Sequence, residues 1–135
     1  GIRDQPRCRG LGDVYKRQHV PQLNKFVKGI KILLKDNGIV TIEFPHLLNL
    51  IEKNQFDTIY HEHFSYFSLL AAMKVFYHHN LEIFDVEEIP THGGSLRLYV
   101  KHTTNNHLSI TPNVKMILDK ERKYGLDDIN TYKNF

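Results

Sequence analysis

The chain has 135 residues, 41% of them hydrophobic, which suffices for one domain with a modest core and excludes wholesale disorder. It holds no run of about 18 or more apolar residues and no charged start leading through an apolar stretch to a cleavage site, so a soluble cytoplasmic protein without a membrane partner is expected. The lone Cys8 excludes a disulfide framework or a cysteine-based zinc site within the chain, and the net charge of +3 does not point to nucleic acid, because the excess is confined to one end.

That end is Gly1–Gln18, where Arg3, Arg7, Arg9, Lys16 and Arg17 face only Asp4 and Asp13; residues 19–135 then hold thirteen basic and thirteen acidic side chains. The segment has neither a helical nor a strand period. It reads as a non-native or disordered leader, set apart from the fold, with a native basic arm as the other reading.

From His19 onward the pattern is regular. Leu23, Phe26, Val27, Ile30, Leu33 and Leu34 fall on one helical stripe, with Pro21 suited to its first turn. Lys35-Asp36-Asn37-Gly38 is expected to end this helix, Gly38 being able to take positive φ. Ile39–Phe44 is a mostly β-branched run without strict alternation, as expected of a parallel strand covered on both faces, and Pro45 closes it. A short helix through Leu47, Leu48 and Ile51 follows. Residues 54–65 then read as a long irregular loop of the kind that is commonly functional.

The spacing of Leu69, Leu70, Met73, Phe76 and Tyr77 predicts a helix over about 68–79, capped by Ser68. Leu81–Val86 and Ser95–Val100 read as strands, joined through Pro90 and Gly93-Gly94 by a wide turn and not by a crossover helix. Thr111-Pro112 starts a further helix bearing Val114, Ile117 and Leu118, ended by Gly125, and the last residues read as the beginning of another. The order implies an α/β layer with a terminal antiparallel hairpin.

Nine histidines are many for this length, and His46, His61 and His63 accompany Glu62. A near-neutral imidazole oriented by a carboxylate is what a general base requires. Were the segment extended, His61 and His63 would face one side and Tyr60 and Glu62 the other. The same residues also fit an aromatic loop packed on the sheet with its histidines hydrogen-bonded, or a metal held by His61 and His63. His78, His79, His102 and His107 read as solvated helix-end or loop histidines. Glu43 and His46 stand at the strand end where open α/β sheets place ligands, although a strand-end Glu is equally a solvated terminus. Gly93-Gly94 reads as a plain turn, or as a close approach of backbone to ligand.

Three strings, Glu43-Phe44-Pro45-His46-Leu47-Leu48, Gln55 through Tyr66 containing Tyr60-His61-Glu62-His63, and Pro90-Thr91-His92-Gly93-Gly94-Ser95-Leu96-Arg97, resemble the S-adenosylmethionine-dependent C-methyltransferases of nucleotide-linked 4-keto deoxysugars. The resemblance covers about His19 to Phe135. It implies a partial Rossmann-like class I methyltransferase sheet whose hairpin is the reversed final pair of strands. Residues 19–110 would be the second half of the methyltransferase domain and 111–135 a helical link toward a C-terminal domain. The remaining N- and C-terminal domains of the same enzyme would be its partners, with a nucleotide-linked sugar as substrate.

By the same resemblance His63 would be the base that removes the proton at sugar carbon 3, Tyr60 and Glu62 would assist in positioning and proton handling, and His19 would be a further active-site histidine. S-adenosyl-L-methionine would be the cofactor. The chain has no strand followed by a Gly-x-Gly loop and an acidic ribose-binding residue, so none of its residues is assigned to the cofactor and none to a metal. Alone it is expected to be poorly stable and inactive. Two other classes fit the sequence: a small metal-dependent hydrolase built on His61 and His63, and a noncatalytic binding module using the aromatic loop.

Overall fold

A computed structural model of the chain describes residues 22–135. The leader Gly1–Gln18, His19 and Pro21 lie outside the described residues.

Helix α1 (Leu23–Leu33) buries Val27 and Ile30, as the apolar stripe requires. Leu33, expected on that stripe, is exposed, because the helix stops there: Leu34 is extended, its N–H bonds to the Ile30 carbonyl at 2.9 Å, and its side chain turns inward. Gly38 does not take positive φ as expected. What it supplies is room, since a Cβ there would stand 2.9 Å from Leu34 Cδ1 and 3.0 Å from the Lys35 carbonyl.

Strand β1 (Val40–Pro45) differs from the expectation of two covered faces. Val40, Ile42 and Phe44 are buried, while Thr41 is exposed and Glu43 is half-buried, the alternation of a strand with one apolar face. Helix α2 (Leu47–Glu52) follows directly, then the irregular segment with a single 3-10 turn at Phe56–Thr58. Helix α3 (Leu69–His78) begins where Ser68 Oγ accepts from the Ala71 N–H at 3.1 Å, as its sequence signal indicates. Tyr77, expected on the buried face, is instead exposed.

Strands β2 (Leu81–Ile89) and β3 (Ser95–His102) form the expected antiparallel hairpin across a 3-10 turn at Thr91–Gly93. Helices α4 (Pro112–Tyr124) and α5 (Ile129–Lys133) complete the described chain. Gly125, in the left-handed region at φ 92°, closes α4. Thr111 occupies the N-cap position of α4, but its hydroxyl goes elsewhere: Oγ1 donates at 2.5 Å to Asp85 Oδ1 beside the β2 bulge.

The sheet order is β1-β3-β2, with β3 antiparallel to both neighbours. Strands β1 and β2 therefore run in the same direction but do not pair. The parallel pairing expected of β1 is replaced, among the described residues, by its antiparallel ladder with β3. This mixed α/β sheet ending in an antiparallel hairpin is compatible with part of a class I methyltransferase sheet.

One face of the sheet, through Ile42, Phe44, Ile83, Leu96 and Leu98, packs against α1, α3 and α4. Each fully buried leucine there contributes about 1.5–3 kcal/mol. The opposite face is polar: Arg97 donates to Glu43 at 2.5 Å and to Glu87 at 3.3 Å, and the Tyr99 hydroxyl donates to Glu87 at 2.7 Å. The bond to Glu43 raises the Arg97 pKa further above its ordinary value. Glu43 is thus a cross-strand ion-pair partner. Lys101 is buried at the end of β3, and its ammonium holds the following turn through the Asn105 and Leu108 carbonyls at 2.6 and 2.7 Å, with Glu82 at 3.1 Å.

The hairpin turn is under backbone constraint, since His92, Gly93 and Gly94 all have positive φ. A Cβ on Gly94 would fall 2.6 Å from Asn49 Nδ2, so only glycine fits. Gly94→Ala is expected to cost about 1–3 kcal/mol, read as a lower urea midpoint at unchanged slope. An unchanged midpoint would show that the turn adapts.

Candidate active-site loop

The segment between α2 and α3 is fastened at both ends. At its start, Lys53 Nζ and Gln55 Nε2 donate to the Gly93 carbonyl at 2.9 and 3.0 Å, and the Gln55 N–H donates to the Leu50 carbonyl at 2.9 Å. At its end, His46 and Phe67 form a parallel bridge, and the Leu47 N–H donates to the Phe67 carbonyl at 3.0 Å. The long loop is therefore tethered to the hairpin turn and to the end of β1.

Inside it, the chain turns at Tyr60–His63, where the His63 N–H meets the Tyr60 carbonyl at 3.0 Å. That turn overrides strand alternation. Tyr60 and His63, expected on opposite sides, stack with ring centroids 4.0 Å apart and planes 37° apart. His61 and Glu62 point outward, with side chains 90% and 56% exposed and 3.9 Å between His61 Nε2 and Glu62 Oε1. His63 is half-buried. Its Nδ1 lies 2.7 Å from the Thr58 carbonyl, and Tyr66 donates its hydroxyl to the same oxygen at 3.2 Å. The group behind Nδ1 of the imidazole is thus a backbone carbonyl.

The structure separates His46 from this group. It is 1% exposed, and its Nε2 stands 2.7 Å from Glu121 Oε1 on α4. Glu121 is itself wholly buried, and its two oxygens accept from the first N–H groups of α3, Leu69 at 2.6 Å and Leu70 at 2.9 Å. A carboxylate on one helix therefore caps another, in addition to the Ser68 cap. His46 and Glu121 support the loop from beneath, with Leu48, Leu50, Ile51 and Leu126 packed beside Tyr66 and Leu70. Sequence reasoning missed Glu121, although a signal existed: it falls on the buried stripe of Val114, Ile117 and Leu118. The Thr58 carbonyl had no signal, because any residue carries one.

Of the histidines read as solvated, His102 departs from that reading, while the contact of His79 lies at the surface, at its helix end. His102 Nε2 donates to the Leu34 carbonyl at 2.8 Å, tying β3 to the end of α1, and His79 Nε2 lies 3.0 Å from Asn24 Oδ1. Desolvation, followed by the charges of His78, Lys31 and Lys28, lowers the His79 pKa. Among the described residues no group of three or more His, Cys, Asp and Glu side chains converges as a metal site. Nor is any described helix long and apolar enough to cross a membrane. A cleft between α1, β1 and α3, lined by Phe26, Ile42, Phe44, Phe67 and Phe76, is apolar and offers no catalytic group.

No described glycine stands in a glycine-rich turn between a strand and a following helix, so none of the described residues is assigned to S-adenosylmethionine. His19, the fourth expected site residue, lies outside the described residues.

Comparison with known proteins locates the chain. Residues 90–135, from the hairpin turn onward, match the family described as the C-methyltransferase C-terminal domain. The chain is also similar to the C-methyltransferase NovU of Streptomyces niveus, with 38% identity over 125 residues, covering 90% of this chain and 30% of that protein. It thus spans about 30% of the length of this relative. The similarity runs through the hairpin, α4 and the histidine-bearing loop alike, and by it the chain is similar to part of a C-methyltransferase.

Proposed function

We infer that this chain supplies the proton-transfer segment of an S-adenosylmethionine-dependent C-methyltransferase acting at carbon 3 of a nucleotide-linked 4-keto deoxysugar. The observation that carries the reading is the Tyr60–His63 stack on a tethered loop, with the imidazole held from behind at 2.7 Å. A proton on the carbon beside a ketone is removed by a base that is near-neutral, oriented and partly shielded from water. His63 is an imidazole oriented by the Thr58 carbonyl and half-buried. The Tyr60 hydroxyl, on the ring stacked against it, is the donor for the enolate oxygen that develops as the C–H bond breaks. Glu62 lies at the solvent rim and handles the proton after it leaves the ring, and His19, outside the described residues, is the further active-site histidine of this reading.

S-adenosylmethionine supplies an electrophilic methyl group to the complete enzyme, and no residue described here is assigned to it. The nucleotide-linked sugar and the other domains of the enzyme are the partners this reading implies.

The test uses a chimera in which this chain replaces the matching part of the Streptomyces relative. Incubated in deuterated water with a nucleotide-linked 4-keto deoxysugar, the chimera exchanges the carbon-3 proton, followed by NMR, and His63→Ala does not. Exchange at the parent rate in that variant removes His63 from the role.

A further inference from the structure

We propose that Phe135 is a positioning residue for the loop between α2 and α3: its ring, stacked on Phe56, makes the shape of that loop depend on where α5 lies. The inference concerns how the loop is fastened and stands whichever of its groups reacts.

The later part of the chain holds the loop at three places. The Gly93 carbonyl accepts from Lys53 Nζ at 2.9 Å and Gln55 Nε2 at 3.0 Å at its start. Beneath it, Leu126 packs with Leu48, Leu50 and Ile51 beside Tyr66. On the outside, Phe135 stacks on Phe56 with ring centroids 5.4 Å apart and planes 17° apart. Leu126 is 6% exposed and leaves only if its cluster opens. Phe56 and Phe135 are 58% and 45% exposed, so their stack separates without disturbing the core.

The place of Phe135 is inherited from α4. Gly125, at φ 92°, turns the chain back, and the Leu126 N–H donates to the Glu121 carbonyl at 3.0 Å. Asp128 caps α5 by accepting from the Asn130 N–H at 2.8 Å, and the Tyr132 hydroxyl donates to the Leu126 carbonyl at 2.7 Å. The short helix is thereby tied to the residue anchored beneath the loop. On the other side of the stack, Phe56 opens the 3-10 turn at Phe56–Thr58, and its carbonyl accepts from the Ile59 N–H at 3.0 Å. The turn at Tyr60–His63 follows at once, closed by the His63 N–H on the Tyr60 carbonyl. A ring fixed against Phe56 therefore steadies the backbone from which Tyr60 and His63 depart. With α5 swung away, that support is gone and these bonds open more often.

The experiment is amide hydrogen exchange, read residue by residue by NMR, on the 135-residue chain. Phe135→Ala is expected to speed exchange of the Ile59 and His63 amides about two- to tenfold, the loss of one stacked pair, while the Leu98 and Val100 amides of β3 stay as they were. Phe135→Tyr keeps a ring on Phe56 and the slow rates with it. In a Phe56→Ala background, Phe135→Ala adds no further change, because the two rings act as a pair. Unchanged Ile59 and His63 rates in Phe135→Ala reduce the stack to a chance surface contact and overturn the proposal. Equal acceleration of the β3 amides overturns it too, since Phe135 would then support the whole fold. An added effect in the Phe56→Ala background does the same, by showing that Phe135 acts through another contact. None of these results bears on which loop residue moves a proton, so the chimera experiment above stands or falls separately.

Discussion

Glu121→Ala is expected to lower the stability of the folded chain by about 3–5 kcal/mol, the range for removing one partner from a buried polar pair. The wholly buried carboxylate accepts from three donors: His46 Nε2 at 2.7 Å, Leu69 N–H at 2.6 Å and Leu70 N–H at 2.9 Å. Alanine leaves all three without an acceptor in a space closed to water, and each unsatisfied donor costs about 1–3 kcal/mol. Against a total stability of about 5–15 kcal/mol for an ordinary domain, this is a large fraction. Glu121→Gln should cost less, because its amide oxygen keeps one acceptor while its NH₂ opposes the remaining N–H. Urea unfolding of the three proteins measures the order, and a loss below about 1 kcal/mol for alanine would mean that water or a shift of α4 replaces the carboxylate.

His63→Ala in the chimera is expected to lower kcat by about 10²–10⁴-fold, the contribution of a positioned general base. The effect should fall on kcat and on kcat/KM together, because proton abstraction stabilises the transition state and not the bound ketosugar. His78→Ala is the control, since His78 is an exposed residue in the last turn of α3 and no bond to the loop holds it. Equal losses in the two variants would mean that the histidines act on folding or solubility, and not on the proton.

The elements of this protein were legible in its sequence where burial follows a simple period. The stripes of α1 and α4, the Ser68 cap, the stop at Gly125 and the β2–β3 hairpin are all local matters of side-chain spacing and backbone freedom. The expectations that failed were those in which a partner distant in sequence decides. Leu33 and Tyr77 fit their stripes and are nonetheless exposed, Leu33 because α1 stops there. Strand β1 was expected to be covered on both faces, yet only its Val40, Ile42 and Phe44 side is buried, and Glu43 on the other side is held by an ion pair with Arg97, 54 residues away.

The candidate site divides along the same line. The sequence by itself determined which groups are present for proton transfer, namely Tyr60, His61, Glu62 and His63 on a loop, because the chemistry of an imidazole belongs to the residue. Only the tertiary structure decided how they divide. The turn at Tyr60 brings Tyr60 against His63 and sends His61 and Glu62 outward. Glu121, 75 residues from His46, draws that histidine out of the cluster into the interior. The orienting acceptor for His63 is the Thr58 carbonyl, a group that every residue possesses and no motif can mark. Its role comes from direction alone, and the direction of a backbone carbonyl is set when the whole chain has folded.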